Sequence, residues 1–172
     1  EEAAPTGAQK AIFGFGVEYL SDFYSITNLV SSSGVVATDT TGVGTGRSNL
    51  AASGYGGDKA IFGFGGDDNG DTNITNLVSN TGVVATDTTG VGSVRNNLAA
   101  AGYGEDKAIF GFGYSNSSGL YNQTNLVSNT GVVATDTNGV GTARDQLAAA
   151  GYGEDKAIFG FGYGYGAPGY VS

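Results

Sequence analysis

Asp39, Asp87 and Asp136 sit in three identical Thr-Asp-Thr contexts. Two well-placed carboxylates are all that glycoside hydrolysis requires, so a carboxylate enzyme is the first chemistry to weigh. The rest of the catalytic repertoire is missing. The chain has no His and no Cys, which removes the commonest general base and the thiol nucleophile. The aspartates are also periodic, and an Arg follows each of them, at Arg47, Arg95 and Arg144. A site that arose once would not distribute its charges so regularly. The aspartates therefore read as hydrogen-bonding or ion-pairing partners of the repeat Arg, with a ring of carboxylates around a channel as the sharper alternative. On this reading the chain is not an enzyme.

Two further patterns carry a ligand reading. Asp67, Asn69 and Asp71 have the alternating oxygen spacing of a calcium loop, with Gly70 at the bend; the later bidentate Glu is missing, and the equivalent loops lack the pattern. Ca2+ is thus the one cofactor the residues raise; otherwise none is expected. The second pattern is a variable loop whose copies are residues 17–26, 66–74 and 114–123. Variation confined to one loop of a repeat maps to one face, often the binding face. Tyr19, Phe23, Tyr24, Tyr114 and Tyr121 would give that face aromatic platforms among Ser, Asn and Gly, a mix suited to a surface glycan or a protein partner. The plain alternative is drift of a solvent loop. Gly14-Phe15-Gly16 and its copies contain Gly-x-Gly, but no strand-to-helix context follows, so nucleotide binding is rejected. Asn73, Asn116 and Asn122 lie in glycosylation sequons, which matter only on a glycosylating secretory route.

The elements that must position these residues come from an internal repeat. Lys-Ala-Ile-Phe-Gly-Phe-Gly starts at Lys10, Lys59, Lys107 and Lys156. Thr-Asn-Leu-Val-Ser starts at Thr27, Thr75 and Thr124, and Gly-Val-Val-Ala-Thr-Asp-Thr at Gly34, Gly82 and Gly131. Leu-Ala-Ala follows at Leu50, Leu98 and Leu147, and Tyr55, Tyr103 and Tyr152 close the unit. The division is a tail at 1–9, repeats at 10–58, 59–106 and 107–155, and a partial repeat with a tail at 156–172. Each repeat reads as four short strands: the β-branched and aromatic Lys segment, Thr-Asn-Leu-Val-Ser, Val-Val-Ala-Thr-Asp-Thr, and the small-residue Leu-Ala-Ala segment. A tight turn links the last strand to the next Lys segment. Asp58, Asp106 and Asp155 suit that turn, because a short acceptor side chain bonds nearby backbone donors. All seven Lys and Arg occupy two repeat positions, which marks them as scaffold.

The run of residues 141–152, Gly-Thr-Ala-Arg-Asp-Gln-Leu-Ala-Ala-Ala-Gly-Tyr, followed by Glu-Asp-Lys-Ala-Ile-Phe-Gly-Phe-Gly at 154–162, resembles the kelch repeat. The shared order is Arg, small-residue strand, turn, apolar strand, glycines. Phe stands between the glycines where kelch has a direct pair, and the Trp of the later strand is absent. The resemblance covers nearly the whole chain. It implies an all-β fold of kelch-like β-propeller blades, each of four short antiparallel strands, here three repeats plus one extra strand; a β-solenoid is the alternative. Small side chains such as Ala99, Ala100, Ala101, Ala148, Ala149 and Ala150 would line the crowded axis, and Phe13, Phe15 and their copies would pack between blades. The repeats are also similar to those in predicted structural proteins of marine bacteriophages, which implies a virion or extracellular setting.

Three blades rarely close a ring. The chain also begins and ends in the same strand type. A ring shared by two chains, a piece of a longer propeller, and an open head-to-tail array all answer the count. Exposed strand edges favour self-association over an isolated monomer. The expected function is a structural component of a virion appendage, fibre or cell-surface assembly; the alternative is an adhesion module using the aromatic loops. Thirty-two Gly with only two Pro exclude collagen. A net charge of −9 disfavours nucleic acid, and no apolar run approaches the roughly 20 residues of a membrane span. With no Met at position 1, the chain reads as a processed product or a piece of something longer.

Overall fold

The computed structural model describes residues 10–19 and 22–165. These residues form an all-β protein with no α-helix among them. β1 (Ala11–Glu18) and β2 (Asp22–Val30) make the first hairpin. After β3 (Ala51–Tyr55) and β4 (Lys59–Gly63) comes a small hairpin, β5 (Gly66–Asp67) with β6 (Gly70–Asp71), and then β7 (Thr75–Val78). The pattern repeats as β8 (Ala99–Tyr103), β9 (Lys107–Gly111), the small hairpin β10 (Tyr114–Ser115) with β11 (Gly119–Leu120), and β12 (Thr124–Val127). It then begins again with β13 (Ala148–Tyr152) and β14 (Lys156–Gly160).

Hydrogen bonding groups the strands as β3-β4-β7, β8-β9-β12 and β13-β14, all antiparallel. The sheets are thus phased from the Leu-Ala-Ala strand, whereas a boundary at each Lys cuts through a hairpin. The cause is local: β3 and β4 are joined by a turn of only three residues, so they close on each other first. Its middle residue is left-handed, Gly57 at φ 77° in one copy but Glu105 at 68° and Glu154 at 67° in the others. The turn aspartates bond differently from the expectation. Asp58 and Asp106 accept the side-chain amides of Asn80 (3.0 Å) and Asn129 (2.9 Å), rather than backbone donors.

The Val-Val-Ala-Thr-Asp-Thr segment is not a regular strand. It is pinned beside its neighbour at two isolated bridges, Val78–Val84 and Thr75–Thr88 in one unit and Val127–Val133 and Thr124–Thr137 in the next. Between the bridges the side-chain amide of Asn76 takes the carbonyl of Ala85 (3.1 Å), and Asn125 takes that of Ala134 (3.0 Å). A side chain thus supplies a bond that a ladder would draw from the backbone.

Neighbouring units pack through their apolar strands. Phe62 meets Phe15 edge-on at 5.1 Å, Phe110 meets Phe64 at 5.2 Å, and Phe159 meets Phe112 at 5.4 Å. The glycine between the two Phe residues makes room: a Cβ on Gly63 would lie 2.8 Å from the Phe110 ring. Phe64 and Phe110 are fully buried, each contributing about 1.5–3 kcal/mol of hydrophobic stabilisation. The small-residue strands β3, β8 and β13 run side by side. Asn97 N–H donates to Asn49 O and Gln146 N–H to Asn97 O, both at 2.9 Å. Ala and Gly fit there because the backbones approach closely: a Cβ on Gly151 would lie 3.0 Å from Gly102 O.

Candidate functional site

The residues that could do chemistry are gathered into a clamp between consecutive units. Arg47 ends one unit, and its guanidinium lies over the Phe15 ring of that unit at 4.3 Å, a favourable cation–π position. Its donors point into the next unit. Nε donates to Phe64 O (2.8 Å), Nη2 to Asn76 Oδ1 (2.6 Å), and Nη1 back to Thr45 O (3.1 Å). Asp87 completes the group. It accepts Asn76 Nδ2 on Oδ1 (2.9 Å) and both Thr45 N–H (2.9 Å) and Thr45 Oγ1 (2.7 Å) on Oδ2, and it stands 4.0 Å from Arg47. The next clamp repeats this atom for atom. Arg95 lies over Phe64 at 4.3 Å, donates to Phe112 O (2.8 Å) and to Asn125, and faces Asp136 at 3.6 Å; Ser93 replaces Thr45.

The local sequence explains the clamp. The Phe under each guanidinium has a left-handed backbone, φ 66° at Phe15 and 65° at Phe64, a conformation costing roughly 1–2 kcal/mol outside glycine. Ring packing against Arg and the next Phe holds it there. Gly44 and Gly92 in the Gly-Val-Gly loop press on the carboxylates, since a Cβ on either would lie 2.2 or 2.3 Å from Asp87 or Asp136 Oδ1.

Arg47 and Arg95 are fully buried. Burial pulls each guanidinium down to about 10, against the opposing pull of Asp87 or Asp136. For the two aspartates desolvation is the largest single influence and pushes upward. The hydrogen bonds from Asn76 and Thr45, or Asn125 and Ser93, together with the Arg, outweigh it and hold both carboxyls below the ordinary 3.8. The two sides of the ion pair thus point in opposite senses: pairing favours the carboxylate, while burial is a net cost to the guanidinium. Desolvation of the guanidinium therefore offsets part of what the pair adds to stability. Every polar atom of the group is engaged in holding structure. Asp87 and Asp136 each belong to a separate clamp.

Asn76, Asn125, Thr45 and Ser93 were not expected as partners of the Arg–Asp pair. A signal was present, because Asn recurs at the centre of each Thr-Asn-Leu-Val strand, where Asn is disfavoured.

The variable loops lie in a row. Phe23 and Tyr24 on β2 share an open depression of ≈ 390 Å³ with Asp22, Thr45, Gly46, Asp67, Asp68 and Asn69. Tyr24 is anchored by its hydroxyl, which donates to Glu18 Oε2 at 2.8 Å; that bond is the main reason its pKa is raised. Tyr19 is 90% exposed beside it. Tyr114, on β10, and Tyr121, just after β11, are half-buried at the small hairpin of the next unit and do not line the depression. Of the calcium-like trio, Asp67 Oδ1 accepts Asn69 N–H (2.7 Å), closing the turn. Asp71 accepts the Asn96 side-chain amide and Asn116 N–H (2.8 Å), tying one loop to the next. Among the described residues no three His, Cys, Asp or Glu gather as a metal site. Neither family models nor curated proteins give a match to this chain.

Proposed function

We propose that the chain is a non-catalytic structural repeat protein that associates through its strand edges, in a virion appendage, fibre or cell-surface assembly. The observation that carries this reading is the clamp. Its Arg and Asn are buried and its Asp half-buried in unit-to-unit joints, and the two complete joints repeat one another. Sheets stacked through their small-residue strands support kelch-like blades, because the inner strands of a propeller crowd one another in this way. The virion or cell-surface setting rests on the resemblance of the repeats alone. Solution mass across a concentration series tests the function. Concentration-dependent association is expected; a strict monomer at every concentration would overturn it.

The depression at Phe23 and Tyr24 favours a second reading, an adhesion module for a glycan or protein. An exposed aromatic beside carboxylates and amides is a common sugar platform. Glycan-array binding that disappears in a Phe23→Ala/Tyr24→Ala variant, with association intact, is the expected outcome if the loops bind; no binding by the intact chain would remove this reading.

A further inference from the structure

The clamp occurs twice in full and once as two separate halves. The donor half is Arg144. It lies over Phe112 at 4.4 Å, as its copies do over theirs. Its other contacts are poor: Nη1 to Thr142 O at 3.3 Å and Nη2 to Phe159 O at 3.4 Å. Its Nε is buried and has no partner among the described residues. The acceptor half is at the opposite edge. Asn28 Nδ2 donates to Ala37 O (3.2 Å) and to Asp39 Oδ1 (2.7 Å), the arrangement of Asn76 with Ala85 and Asp87. Among the described residues no Arg reaches Asn28 Oδ1, and no Thr or Ser reaches Asp39 Oδ2. The apolar strands match these halves. Phe161 is 68% exposed and Phe13 61%, whereas Phe64 and Phe110 are fully buried.

We propose that a second copy of this chain unites the halves: Arg144 of one copy enters between Asn28 and Asp39 of the next, and β14 takes the place beside that copy's β2 that β1 holds. This rests on the reading of the chain as an associating array and names the atoms of the joint. The strand exchange follows from the intact clamps. Arg47 binds the chain just after β4 and Asn76 on β7, which pairs with β4, so Arg144 finds Asn28 in the same relation only if β14 pairs with β2. Residues 10–16 and 156–162 are identical in sequence, so β14 and the two residues after it can make the contacts that residues 11–16 make with β2. The merged sheet, β13-β14-β2 with residues 36–40 outermost, has the order of the sheet built on β3, β4 and β7. Phe161 would replace Phe15 against Phe62 and beneath Arg47 of the second copy. Thr142 would reach Asp39 as Thr45 reaches Asp87. Positive donor and negative acceptor lie on opposite edges of one chain, so the contact is heterologous and runs head to tail.

The test uses three variants in sedimentation velocity over a concentration series. Arg144→Ala blocks the donor edge, and Asn28→Ala/Asp39→Ala blocks the acceptor edge. Gly160→Ala keeps both clamp halves. A Cβ there meets nothing within 4 Å in the single chain, yet at Gly14, the position it would take over, it would lie 2.8 Å from Thr27 and 3.2 Å from Phe62. Circular dichroism checks that each variant folds. The expected result is an associating wild type, with each variant weakened roughly thirtyfold or more. An equimolar mixture of Arg144→Ala with Asn28→Ala/Asp39→Ala should form a heterodimer and grow no further. Variants that associate like the wild type would overturn the joint and leave structural self-association standing, as would a mixture that stays dissociated after both variants alone lose association. A monomeric wild type would overturn both.

Discussion

Arg95 and Arg144 occupy the same position of the repeat, each stacked on a Phe, and differ most in what stands beyond them. Arg95 has a complete unit ahead of it and is fully buried with all its bonds made. Arg144 has two strands ahead of it and keeps a buried donor without a partner among the described residues. The glycines show the same contrast. Gly63 and Gly92 press against Phe110 and Asp136, while Gly160 and Gly141 meet nothing within 4 Å. The same residue at the same repeat position therefore has two energetic meanings, and the neighbouring unit decides which applies.

The largest effect expected is at the interior clamp. Arg95→Ala leaves Asp136 and Asn125 without their buried partner and should lower stability by about 3–5 kcal/mol. Arg144→Ala, measured by the same denaturant titration at a concentration too low for association, should cost less than about 1 kcal/mol. Equal losses would erase the distinction between interior and edge. Next in size is the glycine pair. Gly63→Ala forces the Phe110 ring aside and should cost about 1–3 kcal/mol, against a change near zero for Gly160→Ala in the monomer.

Acid should sharpen the contrast. Asp87 and Asp136 have folded pKa values below the ordinary 3.8. Their contribution is fully present above 3.8 and is lost as pH falls through the folded value. Asp145, pushed up chiefly by its own burial, works in the opposite direction. The clean comparison is therefore wild type against Asp136→Asn: their stability difference should shrink as pH falls below about 4, and a difference constant down to pH 2 would contradict the assignment. The smallest effect lies in the tight turn. Glu105→Gly places the residue of the first copy, Gly57, at a left-handed position and should stabilise by about 0.5–1 kcal/mol in thermal unfolding.

Much of this was legible in the sequence, because strands and tight turns are local. The period, the Lys and Leu-Ala-Ala strands, the Phe residues between units and the scaffold role of Arg with Asp follow from residue types at fixed spacing. What stayed hidden depends on contacts between units. Arg47 meets Asn76 and Asp87 across the boundary, and nothing local tells Asn76 from a solvent-facing strand residue. The same holds for residues 83–88, whose composition is that of a strand. A neighbouring amide takes one of their carbonyls and breaks the ladder. The aromatic loop was legible as residues but not as a surface, since Phe23 and Tyr24 share their depression with Asp67 and Asn69 of the following unit.

The most direct measurement is amide hydrogen exchange, by NMR, of β14 against β9 at two protein concentrations. Both strands read Lys-Ala-Ile-Phe-Gly, so their intrinsic chemistry is the same and any difference reports pairing. β9 lies between β8 and β12 and should be protected at both concentrations. The outward amides of β14 should exchange quickly in dilute solution and become as protected as those of β9 when the protein is concentrated. Amides of β14 that exchange equally fast at both concentrations would contradict association through this edge.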